Sequence, residues 1–282
     1  MYKLDGKKVV ITGAASGLGR SLALVLTSRG CRIGIADKNA TCAEETLEMV
    51  ISRGGSGEVF QLDVRDPEQV EAMAEHFFQT FGGVDILFNN AGVAVTGFVG
   101  DIPLENWKWI TDINYFGMVY GCHSFIPRMK AQGGGYIVNT ASAAGIVSFL
   151  EMAPYNASKA AVISLTETLK TELAPFNIGV SVLCPMFFNT GLLDDLRYTD
   201  EFESELGHTC FENSRITSDE VARVVVKGVE RKKLIIIPQL SGKVFWMQKR
   251  LSPSLYFGQL SFLNKMGWAR PLFMWMARHG ML

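Results

Sequence analysis

The chain has no acidic residue after Glu230, no cysteine pairing pattern, no metal-ligand spacing among its histidines and no apolar run of bilayer length. Each absence excludes something. The five cysteines (Cys31, Cys42, Cys122, Cys184 and Cys210) are odd in number and scattered, with no CxxC. They argue against a disulfide framework and for reduced core thiols in a cytoplasmic protein. His76, His123, His208 and His279 have no ligand spacing, so no metal site is expected. No stretch approaches the ~20 apolar residues that cross a bilayer, and the N-terminal residues carry no apolar signal core, so secretion is not expected. Internal repeats and low-complexity runs are also missing. The lack of late acids divides the charge: residues 1–230 hold all 28 acids against 18 of the 27 Lys/Arg, a net of −10. Residues 231–282 hold the other nine bases together with Trp246, Trp268 and Trp275. A basic, aromatic, acid-free composition suits a segment lying on a membrane surface. It suits equally a cover over a ligand pocket or a contact between subunits. The acidic remainder repels phosphate backbones, so nucleic acid is not an expected partner.

What is present starts with Lys7–Thr12, which reads as a buried strand running into Gly13-Ala14-Ala15-Ser16-Gly17-Leu18-Gly19 and then a helical pattern (Leu22, Val25, Leu26). Strand, glycine-rich turn and helix together form a phosphate-binding arrangement. Gly13 permits the turn, Gly17 admits backbone N–H groups to a pyrophosphate, and Gly19 lets the helix close on the sheet. The helix N-terminus adds partial positive charge there. Eighteen residues beyond Gly19, the strand Arg32–Ala36 ends at Asp37. A carboxylate at that point accepts hydrogen bonds from ribose hydroxyls and repels a 2′-phosphate, which favours NAD over NADP. Ser16 adds no positive charge to the loop, while the neighbouring Lys38 softens the discrimination.

Further along, Tyr155 and Lys159 lie four apart in a helical stretch and project from one face. An ammonium beside a phenol stabilises the phenolate and lowers a pKa that starts near ~10. That makes Tyr155 a candidate acid–base for interconverting an alcohol and a carbonyl. Ser142, thirteen residues earlier, offers a hydroxyl to hold the reacting oxygen. Between these signals come Phe60–Val64, ending a third strand at Asp63, and Asp85–Gly92, ending a fourth strand with Asn89-Asn90-Ala91-Gly92. Asn114 lies within a long helical pattern, and Ile137–Ser142 forms a fifth strand.

Taken in this order, the motifs closely resemble the short-chain dehydrogenase/reductase family over residues 4–238. The resemblance implies an α/β, Rossmann-like, doubly wound parallel sheet of about seven strands with helices on both faces. Residues 1–238 would form the dinucleotide-binding and catalytic domain, and 239–282 a C-terminal extension. Tyr155 would be the acid–base, and Lys159 would lower its pKa and hold the nicotinamide ribose. Ser142 would orient the substrate, and Asn114 would anchor a water relay behind Lys159. Gly13, Ser16, Gly17, Leu18, Gly19, Asp37, Asp63, Val64, Asn90, Ala91, Gly92, Pro185, Phe188 and Thr190 would line the cofactor, with Tyr155 and Lys159. The chain departs from the family pattern at Met186, where glycine normally follows Pro185; this alters local backbone shape and pocket volume.

Phe149, Met152, Met186 and Phe187 surround the expected reaction centre and argue for an apolar small-molecule substrate. The segment from Gly191 to about Ile216 falls where the family places its substrate lid, and it is acidic (Asp194, Asp195, Asp200, Glu201, Glu203, Glu205, Glu212). The expected activity is NAD-preferring interconversion of a hydrophobic secondary alcohol and its ketone by a homodimer or homotetramer. Beside it stand an NADPH-linked reductase of acyl-chain carbonyls and a non-catalytic dinucleotide-binding regulator. An intact Ser142, Tyr155, Lys159 and Asn114 argues against the regulator. The expected location is cytoplasmic, with peripheral membrane contact through the C-terminal segment as one option.

Overall fold

A computed structural model describes residues 2–282. Among them, strands β1 (Lys8–Thr12), β2 (Arg32–Asp37), β3 (Ser56–Gln61), β4 (Ile86–Asn89), β5 (Gly135–Thr140), β6 (Ile178–Leu183) and β7 (Ile235–Ile236) form one sheet. All neighbours pair in parallel, in the order β3-β2-β1-β4-β5-β6-β7. The connections carry α1 (Gly17–Thr27), α2 (Ala40–Ser52), α3 (Pro67–Phe81), α4 (Leu104–Thr111) and α5 (Gly117–Ala131). Next come α6 (Ala144–Val147), α7 (Ala153–Glu172), α8 (Glu201–Glu212) and α9 (Ser218–Glu230). After β7 follow α10 (Leu240–Leu251), α11 (Pro253–Lys265) and α12 (Ala269–Arg278).

A sheet covered on both faces needs strands whose central residues are apolar on both sides, and Val9, Val10 and Ile11 of β1 meet that condition. Val9 and Ile11 point into a core shared with α1 and α9, whereas Val10 points into the core shared with α3 and α5. Helix boundaries follow local chemistry. At the start of α3 the Asp66 carboxylate accepts hydrogen bonds from the amides of Glu68 and Gln69, Pro67 opens the helix, and Gly82 (φ 65°) ends it in the left-handed region.

The strand order reverses between β1 and β4, so crossovers leave the sheet in opposite directions there and open a crevice at the strands' C-terminal ends. The residues singled out in the sequence sit around that crevice, with some shifts. Strand β3 stops at Gln61, leaving Asp63 and Val64 in the loop beyond it, and β5 stops at Thr140, two residues short of Ser142. The long helical pattern around Asn114 is not continuous α-helix: a π-helical turn, Asp112–Phe116, lies between α4 and α5. The inserted residue rotates the following side chains by about 100°, but over one turn the shift is too short a signal for side-chain spacing to single out.

Candidate functional site

The glycine loop folds against β4 with no spare room. Gly13 has a left-handed φ of 66°, and a Cβ there would lie 2.8 Å from the Ala91 Cα. At Gly19 a Cβ would lie 2.0 Å from the Gly13 carbonyl oxygen. The Thr12 hydroxyl accepts from the backbone amides of Asn90 (2.9 Å) and Ala91 (3.2 Å), and the Asn90 side-chain Nδ2 donates back to the Thr12 carbonyl at 3.1 Å. Ser16 is the N-cap of α1 but makes no side-chain capping bond, so the first N–H groups of α1 are left facing the cleft. One continuous cleft takes in Gly13, Ser16, Gly17, Leu18, Asp37, Asp63, Val64, Asn90, Ala91 and Gly92, then Pro185, Phe188 and Thr190. Gly19 lies behind this lining, where it lets α1 approach the loop. Free N–H groups, absent side chains and a carboxylate at the far end fit a dinucleotide.

The charges at the Asp37 end are already committed. Asp37 accepts from the amides of Ala15 and Asn39, each at 3.0 Å. Lys38 pairs with Asp195 at 2.6 Å, and Arg65 pairs with Asp63, holding the Asp63 carboxyl below its usual pKa. Arg20 is held by the Ala15 carbonyl, Thr46 and Glu45.

Deeper in the cleft, α7 presents Tyr155 and Lys159 toward Ser142, which follows β5. The Ser142 hydroxyl donates to the Pro185 carbonyl at 3.4 Å and accepts from the Ala144 amide at 3.1 Å. Lys159, only 2% exposed, donates to the Thr140 carbonyl at 3.0 Å, and its Nζ lies 5.6 Å from the centre of the Tyr155 ring. Burial pushes the Tyr155 phenol up to about 12, with the Ser142 hydroxyl pulling it back, and the same burial pushes Lys159 down to about 7. These directions run opposite to the sequence expectation for the pair. Burial dominates both shifts, and the neighbour that draws the Tyr155 pKa back down is the Ser142 hydroxyl. Asn114 is fully buried: its Oδ1 accepts from the Val93 amide at 2.8 Å, and its Nδ2 donates to the Val93 carbonyl and the Ser158 hydroxyl. Both side-chain donors are therefore taken, and the side chain ties the loop after β4 to α7. Neither donor is left for a water relay, which would have to use an acceptor of Asn114.

The substrate half is apolar. Phe149, Met152, Met186 and Phe187 all line the cleft, and Phe149 and Phe187 stand 5.9 Å apart. Met186 occupies its departure from the family pattern without strain: its amide donates to the Gln239 side chain at 3.0 Å, and it packs beside Gly242 of α10. Several lining residues carry no signal in the sequence. Leu192, Leu206 and Phe211 come from the lid segment, Phe273 from α12 and Leu282 from the residues after it. Their apolar spacing reads equally as ordinary core. Of the acidic lid residues, Glu203 turns inward and lines the cleft, where burial raises its carboxyl pKa.

The C-terminal helices also grip the loop before α7. Ser148 and Glu151 both adopt left-handed backbone (φ 59° each), a conformation that costs a non-glycine residue about 1–2 kcal/mol. Lys249 of α10 donates to the Ile146 carbonyl and the Ser148 hydroxyl. Arg270 of α12 makes a two-pronged pair with Glu151 (3.1 and 3.2 Å) and a third bond to Asp200 at 2.7 Å. Phe149, Leu150 and Met152 lie on the loop so held. Arg270→Leu should therefore raise KM for substrate about tenfold, the scale of a lost charge-assisted hydrogen bond, with little change in NADH affinity. Arg270→Lys should recover part of the loss. Steady-state kinetics beside fluorescence titration of NADH checks this, and an equal loss in both ligands would mean general unfolding.

Comparison with known proteins bears on this arrangement. Residues 7–201 match the family described as short chain dehydrogenase. The chain is 32% identical over 192 residues to the cyclohexanol dehydrogenase of Acinetobacter sp. strain SE19, covering 68% of this chain and 76% of that one. It is 30% identical over 260 residues to a Mycobacterium tuberculosis protein named as an oxidoreductase, covering 91% and 94% of the two chains. A solved short chain dehydrogenase/reductase from Burkholderia phymatum in complex with NAD superposes with a TM-score of 0.87 at 31% identity, over 90% of this chain and 96% of that one.

Proposed function

Because the chain belongs to the short chain dehydrogenase family of oxidoreductases, we propose that it interconverts an apolar secondary alcohol and the corresponding ketone, with NAD as the preferred cofactor. The observation that carries this reading is the meeting of Ser142, Tyr155 and Lys159 in a cleft whose one end suits a dinucleotide and whose other end is walled by Phe149, Met152, Met186 and Phe187. NAD, when bound, supplies the acceptor for the hydride leaving the alcohol carbon. The chain does the rest. Ser142 holds the substrate oxygen, and Tyr155 receives the hydroxyl proton as the carbonyl forms, or returns it in the reverse direction. Lys159 sets the charge behind Tyr155 and holds the ribose, and Asn114 keeps α7 in register with the loop after β4. The resemblance to a cyclohexanol dehydrogenase supports including small cyclic alcohols among the candidates. The test is NADH formation against a panel of cyclic, long-chain, steroid and retinoid secondary alcohols. Turnover confined to polar alcohols or sugars would overturn the substrate class.

The preference for NAD rests on Asp37 and on the three nearby cations, Arg20, Lys38 and Arg65, each of which already has an acidic partner. A 2′-phosphate would meet the Asp37 carboxylate with no free positive charge to offset it. NADH should therefore bind more tightly than NADPH. Asp37→Asn keeps an acceptor for the Ala15 amide but removes the charge, and should narrow the gap about tenfold, the discrimination expected of one unfavourable charge contact. Cofactor fluorescence titration reads both affinities; tighter NADPH binding by the wild type would sink the assignment.

A further inference from the structure

The basic residues beyond position 230 separate by what they touch. Arg231, Lys232 and Lys233 precede β7, at the end of the sheet opposite the cleft. Lys249 and Arg270 turn inward, as described. Lys243, Arg250 and Lys265 form no ion pair among the described residues, and Arg278 reaches Glu205 only at 3.9 Å with both side chains largely exposed.

Next to these free cations the helices leave apolar stripes outward. On α10, Leu240, Val244, Met247 and Leu251, spaced four, three and four, form one line, and its two ends are 74% and 78% exposed. The opposite side of α10 faces the protein through Gly242, Phe245 and Lys249. On α11 and the residue that caps it, Leu255, Phe262 and Met266 repeat the pattern at seven and four, all exposed. Trp268 (54% exposed), Leu272 and Trp275 (50% exposed) extend it along α12. Phe262 meets Trp268 edge to face at 6.2 Å, joining the second stripe to the third. With about 100° of rotation per residue, Lys243, Arg250 and Lys265 each lie roughly 70–90° to the same side of the stripe on their helix.

We propose that the outer faces of α10, α11 and α12 dock on an anionic lipid surface. Contiguous exposed apolar faces of this kind mark an interaction site, and the charge selects the partner. A second copy meeting this face about a two-fold axis would bring the same cations to both sides of the contact, with no acid in residues 231–282 to neutralise them. Anionic headgroups do neutralise them, while the tryptophans and aliphatic side chains enter the headgroup boundary. The helices lie on such a surface and do not span it: none is long and apolar enough to cross a membrane. The inner faces of α10 and α12 wall the cleft through the Phe245–Phe149 contact and Phe273, so docking would set the apolar end of the cleft close to lipid.

The test needs no substrate, so its result is separate from that of the redox reading. The 282-residue chain is floated with vesicles of phosphatidylcholine alone or with about a third phosphatidylglycerol, at low and high salt. Binding is expected only to the anionic vesicles at low salt, with a blue shift of tryptophan emission. The triple variant Lys243→Glu, Arg250→Glu, Lys265→Glu should bind about a hundredfold or more weakly, from the loss of three headgroup attractions, and should keep its NADH affinity and thermal midpoint. A second variant, Trp268→Ser with Trp275→Ser, should lose the emission shift and most of the binding. Wild-type protein that stays unbound at low salt, binding indifferent to phosphatidylglycerol, or a stable dimer broken by Leu272→Glu would each overturn the proposal.

Discussion

Tyr155→Phe should lower turnover by about 10²- to 10⁴-fold, the usual contribution of a positioned general acid–base, while NADH affinity and the thermal midpoint stay near those of the wild type. The substitution deletes one oxygen and keeps the ring, which is buried in a cluster with Val93, Ala144 and Phe149. Little packing is lost, so a fall in rate can be assigned to chemistry. The pH profile separates this role from a structural one. Burial holds the Tyr155 phenol up to about 12 in the chain itself, so near neutral pH the protonated form predominates and can donate to a ketone. Alcohol oxidation needs the phenolate, and its rate should climb with pH below that value. The slope should vanish in Tyr155→Phe. Retention of more than about a tenth of wild-type turnover, less loss than even the low end of the expected range, would remove Tyr155 from the mechanism.

Much of this was legible because the fold confines its chemistry to strand ends. The glycine loop after β1, the Asn90-Ala91-Gly92 segment after β4 and Ser142 after β5 each follow a short apolar run, and each reaches the crevice in the structure. What the sequence could not show depends on environment or on backbone. The opposed pKa shifts of Tyr155 and Lys159 come first from desolvation, which four-residue spacing does not encode. Ser148 and Glu151 adopt left-handed backbone without being glycine or asparagine, and the cations that grip them come about a hundred residues later in the chain. The C-terminal helices show the same limit. Their composition offered pocket cover, subunit contact or lipid as alternatives, yet Lys249 and Lys243 have the same composition and opposite surroundings. Only the packing of α10 separates a residue that braces the substrate loop from one facing outward.

Gly19→Ala should abolish detectable NADH binding, a loss of at least about a hundredfold (~2.7 kcal/mol), and should lower the thermal midpoint. A Cβ at Gly19 would lie 2.0 Å from the Gly13 carbonyl oxygen and 2.8 Å from both the Gly13 carbonyl carbon and the Ala14 Cα. All three are backbone atoms, so no rotamer change can relieve the clash. The loop cannot simply retreat either, since Gly13 is itself packed against β4's following residues, where its own missing Cβ would meet the Ala91 Cα at 2.8 Å. Relief must therefore move α1 away from the loop, carrying with it the free N–H groups that face the dinucleotide end of the cleft. Overpacking of this kind typically costs about 1–3 kcal/mol, and sometimes more where the neighbours are rigid. Gly100→Ala is the matched control: a Cβ there meets nothing within 4 Å. Fluorescence titration with NADH and thermal melts of both variants decide the matter. Gly19→Ala binding NADH within about threefold of wild type, less than 1 kcal/mol, would mean that the loop does not hold the cofactor in the way its packing implies.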